Sequence, residues 1–304
     1  MPRADPATAP GIDPSGAVRH RYAPAKINLA LHVVGWREDG YHLLDMLVGF
    51  ADIGDRVTWA PGGDSCRLVL RDALESRPEP LPETTANLAW RALALAARLH
   101  DTTLAGTLTV EKDLPSGGGI GGGSSDAAAV IRAVLGDEPS AGDRVRSAAL
   151  ALGADVPVCL FRRPAHVQGI GERISPLHLA QPLPIVLVWP GIGLATPEVF
   201  KARVGAFGDR IPAEAIGMLG RDPLAALEVL RNDLEEAACR LRPTVRAALD
   251  VLRGSVGCRV ARMSGSGSTV VGYFTDSESA EAAAAAIDRG NPGWWVRSGS
   301  IRPS

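Results

Sequence analysis

A glycine-rich stretch at residues 114–126 constrains the fold more than any other part of the sequence. It reads Leu-Pro-Ser-Gly-Gly-Gly-Ile-Gly-Gly-Gly-Ser-Ser-Asp. Because each glycine loses more backbone entropy on folding than alanine would, by roughly 0.5–1 kcal/mol, so much glycine is expected only where the backbone adopts unusual dihedral angles or closely approaches a ligand. The apolar run at residues 127–135 predicts a helix, with Ser124, Ser125 and Asp126 as its N-cap residues. A glycine loop that leads into a helix N-terminus favours anion binding.

Two widespread nucleotide-binding motifs do not fit this stretch. A P-loop requires a lysine after its last glycine, and the sequence has Ser124 there. Gly117, Gly119 and Gly122 match the glycine spacing of a Rossmann motif, but that fold requires a second parallel strand that ends in an acidic residue about twenty positions further on. Residues 136–139 instead read Gly-Asp-Glu-Pro and precede a helical pattern. A flexible linker is also disfavoured, since linkers seldom lead directly into a capped apolar helix.

Composition and charge narrow the classes of partner. The 304 residues carry a formal net charge of −2, which provides no basic field for nucleic acid or for an anionic membrane surface. The four cysteines are scattered without Cys-x-x-Cys spacing, which indicates reduced thiols in a cytoplasmic protein rather than a metal site. No apolar run approaches the length that spans a membrane. Residues 1–17 are rich in proline, alanine and glycine and predict a disordered tail.

Five motifs, taken in chain order, resemble those of the GHMP kinase superfamily. They are Pro-Ala-Lys-Ile-Asn-Leu at 24–29, Arg-Glu-Asp-Gly-Tyr-His at 37–42, Gly-Gly-Gly-Ser-Ser-Asp-Ala-Ala at 121–128, Leu-Gly-Ala-Asp-Val-Pro at 152–157 and Arg-Met-Ser-Gly-Ser-Gly-Ser at 262–268. The resemblance implies an enzyme that uses ATP with Mg²⁺. It further implies a branch of the superfamily that phosphorylates the 2-hydroxyl of a cytidine diphosphate-linked methylerythritol in the non-mevalonate isoprenoid pathway. Such an enzyme is expected as a monomer or weak homodimer.

The pattern of elements predicts an α+β fold with two domains. Strands are expected at 18–36, 55–60, 67–70, 104–111 and 158–161, and helices at 87–100, capped by Thr84 and Thr85, and at 143–152. From residue 185 onward the order is strand, helices, strand, strand, helix and strand, which is typical of a ferredoxin-like domain. The resemblance implies the GHMP kinase fold, with an ATP-binding, ribosomal-protein-S5-like N-terminal domain at 18–180 and a ferredoxin-like C-terminal domain at 181–304.

The resemblance also assigns the catalytic residues. It makes Asp155 the general base and places Lys26 beside the reacting hydroxyl. From the residues alone, the favoured interpretation of Lys26 is a solvent-facing strand residue, and that of Asp155 is an exposed turn residue. Residues 162–169, which follow this motif, depart from the usual pattern of the family.

The remaining site residues follow from the same motifs. Tyr41 and His42 are expected to face the cytosine ring, with Phe200 opposite Tyr41, and Asn28 and Thr196 also contact substrate. Thr196 could instead serve only as the N-cap of the next helix, ahead of Pro197. The ATP-binding residues implied are Asn87 and Lys112 near adenine, and Pro115, Ser116, Gly117, Gly118, Gly119, Gly121, Gly122, Gly123, Ser124 and Ser125 around the phosphates. Gly122 is expected to need both a positive φ angle and space for phosphate. Ser124 or Ser125 could approach Mg²⁺, but no clear second carboxylate for the metal stands in the sequence.

Two other functions remain open from the sequence. One is a superfamily kinase for another small alcohol, of the homoserine or mevalonate type, which would have no reason to keep Tyr41 and His42. The other is a nucleotide-binding regulator on the same fold, which could lose the pair of Lys26 and Asp155. This chain keeps both members of that pair.

Overall fold

The computed structural model describes residues 17–72, 86–99, 103–136 and 143–303. Almost all of the predicted tail at 1–17, and the predicted caps Thr84 and Thr85, lie outside these residues. Within them, the N-terminal elements are β1 Arg19–Trp36, β2 His42–Pro61, β3 Cys66–Asp72, α1 Leu88–Leu99, β4 Gly106–Lys112, α2 Gly122–Leu135, α3 Asp143–Leu152, α4 Val156–Phe161, β5 Ala165–Gly169 and β6 Arg173–Pro176. They are followed by β7 Leu183–Trp189, α5 Thr196–Ala202, α6 Ala213–Leu219, α7 Pro223–Val229, α8 Glu235–Leu241, α9 Pro243–Arg253, β8 Cys258–Met263, β9 Val270–Phe274, α10 Ser277–Gly290 and β10 Trp295–Ile301.

Two long antiparallel strands organise the first half of the chain. β1 has 18 residues and pairs along β2, which has 20. Every residue from 23 to 33 in β1 is buried, so its polar side chains face protein rather than solvent. The interpretation of Lys26 as a solvent-facing residue is therefore wrong. α2 packs on both long strands and also contacts α1 and α4.

A single strand, β2, connects the two halves of the sheet. It pairs with β5 over residues 44–48, with β4 over residues 56–61, and with β10 between Ala51 and Ile301. In the described residues the resulting sheet has ten strands in the order β3-β4-β2-β10-β7-β9-β8, with β1 and β5 also paired to β2 and β6 paired to β5. The two halves of the chain thus share one continuous sheet.

The second half confirms the predicted ferredoxin-like arrangement. Its four strands are antiparallel neighbours in the order β10-β7-β9-β8, which is the fourth, first, third and second strand of this half in sequence. α9 packs on β8 and β9, and α10 packs on β7, β9 and β10. The boundary at 180–181 stays a prediction.

One predicted element has the wrong type. Residues 158–161 were expected as a short buried strand, but they belong to the helix α4. The amide of Cys159 donates to the carbonyl of Asp155 at 3.1 Å, and Pro157 lies in the first turn, where its missing N–H costs nothing. A short apolar run cannot be told from a buried helix by periodicity alone. No helix in the described parts of the chain is long and apolar enough to cross a membrane.

Candidate active site

A cavity of about 830 Å³ opens where β1, β2, the glycine loop, α5 and the loop after β8 meet. The predicted site residues that line it are Lys26, Asn28, Tyr41, His42, Gly119, Gly121, Ser124, Asp155, Thr196 and Phe200. Both catalytic candidates and all five substrate candidates are therefore brought together, although they come from distant parts of the sequence.

A buried lysine and a carboxylate form the charged centre of this cavity. The Nζ atom of Lys26, whose side chain is 4% exposed, lies 2.8 Å from Oδ1 of Asp155, whose side chain is 40% exposed. Lys26 sits on β1, and its backbone amide donates to the carbonyl of Ile120 at 2.9 Å, which ties the strand to the glycine loop. Asp155 immediately precedes α4 and makes no side-chain capping hydrogen bond, so its carboxylate is available to Lys26 and to a ligand.

The glycine loop reaches α2 through a left-handed residue. Gly117, Gly119 and Gly121 have φ angles of 68°, 74° and 67°, a region that side chains other than glycine rarely adopt. Gly121 is the N-cap of α2, and the amide of Ser125 donates to its carbonyl at 2.8 Å. The free amides at the start of α2 provide the donors and the positive end of the helix dipole that an anion needs.

Two expectations for this loop are wrong. Ser124, Ser125 and Asp126 do not cap α2, because the helix begins at Gly122 and includes them. Gly122 itself has no positive φ angle, since it already has helical backbone. The special backbone geometry lies one to five residues earlier, at the three left-handed glycines.

A second glycine loop, residues 264–268, packs directly against the first. The amide of Thr269 donates to the carbonyl of Gly118 at 2.9 Å, and the hydroxyl of Ser264 donates to the carbonyl of Gly119 at 3.3 Å. A Cβ atom on Gly119 would lie 2.6 Å from the carbonyl oxygen of Gly267. The approach of the two loops is therefore possible only because Gly119 has no side chain.

The far end of the cavity is aromatic. His42 stacks on Phe200 with ring centroids 4.7 Å apart, and Trp36 meets His42 edge-on at 4.6 Å. Burial, assisted by the charge of Arg203, lowers the pKa of His42 below its ordinary value, which favours the neutral form of the imidazole. Tyr41 is 60% exposed, so its ring is open to a ligand.

Asn28 and Thr196 connect the cavity to the second glycine loop. The backbone amide of Asn28 donates to the hydroxyl of Ser264 at 3.1 Å. The side-chain oxygen of Asn28, Oδ1, has no hydrogen-bond partner among the described residues. The hydroxyls of Thr196 and Ser266 are 2.8 Å apart. The residue at the N-cap of α5 is Ala195, so the interpretation of Thr196 as an N-cap is wrong.

Several predicted ATP-binding residues lie outside the cavity lining. Asn87 caps α1, accepting a hydrogen bond from the amide of Ala89 at 2.9 Å. Lys112 is buried in ion pairs with Asp55 and Asp126. The roles of these two residues near adenine stay predictions. The expected phosphate contacts of seven further residues also stay predictions, because these residues belong to the loop or to α2 but do not line the cavity. They are Pro115, Ser116, Gly117, Gly118, Gly122, Gly123 and Ser125.

The cavity also contains residues that the sequence did not single out. Trp36 and Lys201 line it beside the aromatic end, and Ile170 lines it from the turn between β5 and β6. Trp36 directly precedes the predicted motif at 37–42 and Lys201 directly follows Phe200, so their neighbours in sequence were the available signal. Ile170 directly follows the segment at 162–169 that departs from the family pattern, which was the available signal.

Comparison with known proteins agrees with this geometry. Family models described as the GHMP kinases N terminal domain and GHMP kinases C terminal match residues 87–163 and 217–292. The chain belongs to the GHMP kinase family, whose members are kinases that use ATP as phosphate donor.

Within that family, the similarity to one group extends along nearly the whole chain. A 4-diphosphocytidyl-2-C-methyl-D-erythritol kinase of Paracoccus denitrificans is 44% identical over 94% of this chain and 98% of its own length. One of Gluconacetobacter diazotrophicus is 42% identical over 95% of this chain and 97% of its own. A crystal structure of 4-(cytidine 5'-diphospho)-2C-methyl-D-erythritol kinase superposes with a TM-score of 0.77 at 36% identity, covering 94% of this chain and 100% of that one.

Proposed function

We propose that this kinase transfers the γ-phosphoryl group of ATP to the 2-hydroxyl of 4-diphosphocytidyl-2-C-methyl-D-erythritol, in the non-mevalonate isoprenoid pathway. The observation that carries the proposal is a single cavity with the pair of Lys26 and Asp155 at one end and the aromatic group of Tyr41, His42 and Phe200 at the other. The relatives at 40% identity or more that bear this name support it.

Asp155 accepts the proton of the substrate hydroxyl in this mechanism. Lys26 bonds one carboxylate oxygen, and no described residue bonds the other, which is free to receive the proton. Because the transition state of phosphoryl transfer has little covalent chemistry for a protein to perform, the main tasks are to position the groups and to stabilise charge. Lys26 performs both: it orients Asp155 and offsets the negative charge of the transferring group.

The glycine loop and the start of α2 hold the phosphates of ATP. Gly119, Gly121 and Ser124 line the cavity on the side of the catalytic pair. The described residues contain no cluster of three or more His, Cys, Asp or Glu side chains able to hold a metal. Because Mg²⁺ at kinase sites usually binds one or two protein groups and takes its remaining ligands from phosphates and water, the hydroxyl of Ser124 fits such a site. When bound, the metal would neutralise charge on the phosphates.

The aromatic end binds cytosine. Tyr41 and Phe200 offer ring faces for stacking, which every base accepts, while the neutral His42 offers a hydrogen bond that selects among bases.

The further similarity to a homoserine kinase of Cytophaga hutchinsonii, at 16% identity and a TM-score of 0.70, is a likeness of fold. We also propose a cytoplasmic monomer or weak homodimer without nucleic-acid partners, in keeping with four free cysteines and a net charge of −2.

An ADP-release assay tests the activity. Purified protein with ATP and Mg²⁺ should release ADP only when the cytidine diphosphate alcohol is added, and Asp155→Asn should abolish the increase. Homoserine and mevalonate serve as matched alternative acceptors. ADP release that is equal with any alcohol, or absent with the cytidine substrate, would refute the assignment.

A further inference from the structure

Three charged residues form a buried cluster beneath the glycine loop. Lys112 ends β4, Asp55 lies on β2 and Asp126 lies in the second turn of α2. Their side chains are 7%, 0% and 6% exposed. The ammonium of Lys112 donates to Oδ2 of Asp55 and, at 2.6 Å, to Oδ2 of Asp126. None of the three lines the large cavity.

The cluster joins the two ends of the loop. Oδ1 of Asp55 accepts hydrogen bonds from the amides of Asp113 at 2.6 Å and Leu114 at 2.8 Å, where the chain enters the loop. Asp126 lies where the chain has left the loop for α2. Lys112 bridges the two carboxylates, so the entry and the exit of the loop are connected through one ammonium group.

The cluster also lies directly against the first residue of α2. A Cβ atom on Gly122 would be 3.5 Å from the ammonium nitrogen of Lys112 and 3.7 Å from Oδ2 of Asp55. The amides at this end of the helix are the ones expected to bind phosphate. The cluster is thus close to the start of α2 and is joined to this helix by the bond between Lys112 and Asp126.

Stability alone does not account for such a cluster. Buried ion pairs lose much of their attraction to desolvation, and apolar replacements of similar volume are often equally stable. Here two carboxylates share one ammonium, and Oδ1 of Asp126 has no hydrogen-bond partner among the described residues. A loop with four glycines before the start of α2 has few side chains of its own to fix it, whereas phosphate binding requires donors held in place.

We propose that Lys112, Asp55 and Asp126 are positioning residues that hold the glycine loop and the start of α2 in the geometry that binds the phosphates of ATP. This rests on the proposed function, because it takes the loop as the phosphate site. The three residues act through the loop backbone and do not touch the nucleotide phosphates. The cluster replaces the side-chain contacts that a loop made of glycine lacks.

Two variants of Asp126 test the link. Asp126→Ala removes the bond to Lys112, and ATP affinity measured by calorimetric titration should fall about 10-fold, the size expected for a lost charge-assisted hydrogen bond. Asp126→Asn keeps an acceptor for Lys112, and affinity should stay within about threefold of wild type. In steady-state kinetics, the KM for ATP should rise in Asp126→Ala while the KM for the alcohol is unchanged. The control is Ile287→Ala, a buried residue of α10, which packs on β7, β9 and β10 away from the loop.

An apolar replacement separates positioning from stability. Asp126→Leu removes one charge and retains volume, and it leaves Lys112, an expected adenine contact, paired with Asp55, so the protein should unfold at a temperature near that of wild type while ATP affinity falls about 10-fold. ATP affinity equal to wild type in this folded variant, or an equal loss in Ile287→Ala, would overturn the proposal. Titration with ATP needs no alcohol, so a wild type that binds ATP but does not phosphorylate the cytidine substrate would refute the proposed function and leave this test intact.

Discussion

Two glycines of the same glycine-rich stretch, Gly119 in the loop and Gly122 at the start of α2, should respond to alanine in opposite ways. Gly119 has a φ angle of 74°, and a Cβ atom there would lie 2.6 Å from the oxygen and 2.7 Å from the nitrogen of Gly267, as well as 2.7 Å from the carbonyl oxygen of Ser264. All of these contacts are backbone atoms, which cannot rotate away. Gly122 has helical backbone, and its added Cβ would meet only ordinary contacts at 3.5 Å or more.

The expected magnitudes follow from these contacts. Left-handed backbone costs an alanine roughly 1–2 kcal/mol, and forcing apart a packed contact costs about 1–3 kcal/mol more. Gly119→Ala should therefore lower the free energy of unfolding by at least about 2 kcal/mol and separate the two glycine loops. ATP affinity should fall at least about 10-fold, because the loop that binds phosphate is displaced. Gly122→Ala should be neutral or stabilising by up to about 1 kcal/mol, with ATP affinity within about threefold of wild type.

Urea denaturation and calorimetric titration with ATP measure both quantities on both variants. Gly122→Ala is the matched control, since it adds the same methyl group to the same loop region three residues away. Gly119→Ala with normal stability and normal ATP affinity would refute the interlocked loops. A loss of ATP affinity in Gly122→Ala alone would instead show that phosphate needs the space beside the first residue of α2.

Four further outcomes follow from the site. Asp155→Asn keeps the shape of the side chain but cannot take the proton, so turnover should fall about 10²–10⁴-fold with ATP binding near normal; more than a tenth of the activity would remove Asp155 from the role of base. Lys26→Met should lower kcat more than it raises KM, because its charge matters most during transfer, and steady-state kinetics showing only a change in KM would contradict this. The uridine analogue of the substrate should be used at least about 10²-fold less efficiently, and His42→Ala should narrow that preference in kcat/KM; equal use of both analogues by the wild type would exclude a cytosine pocket. Burial raises the pKa of Asp126 from 3.8 to about 7, so between about pH 4 and 7 the folded protein holds a proton that the unfolded chain has lost, and stability falls as pH rises. Asp126→Asn cannot lose this proton, so the free energy of unfolding of the variant, relative to that of wild type, should be higher at pH 8 than at pH 5. A difference between variant and wild type that is the same at both pH values would count against the shifted pKa.

Local chemistry made much of the fold predictable. The ferredoxin-like order of the second half followed from the spacing of short apolar runs and helices. The error at α4 arose because the short apolar run at 158–161 is also typical of a buried strand, whereas Pro157 and tertiary packing favour a helix. The helix matters for function, because it fixes the backbone that carries Asp155.

The site was less predictable from the residues than from the resemblance. Lys26 and Asp155 are 129 positions apart in sequence, and no periodicity indicates that they form an ion pair. The contact of Thr196 with Ser266 spans 70 positions, while the local pattern around Thr196 indicated only a helix cap. Both contacts depend on how β1, α4, α5 and the second glycine loop pack against one another. The local sequence does not indicate that packing.

The position of β10 has a consequence for how the protein is made. β10 follows every other strand in sequence, yet it lies inside the sheet, between β2 and β7. Because a chain leaves the ribosome N-terminus first and begins to fold during synthesis, the edge of β7 that pairs with β10 stays unpaired until residues 295–301 emerge. Unpaired strand edges are templates for association with other chains. The nascent protein is therefore most exposed to misassembly while the second half is being synthesised, and a chaperone that covers strand edges would protect it during that interval.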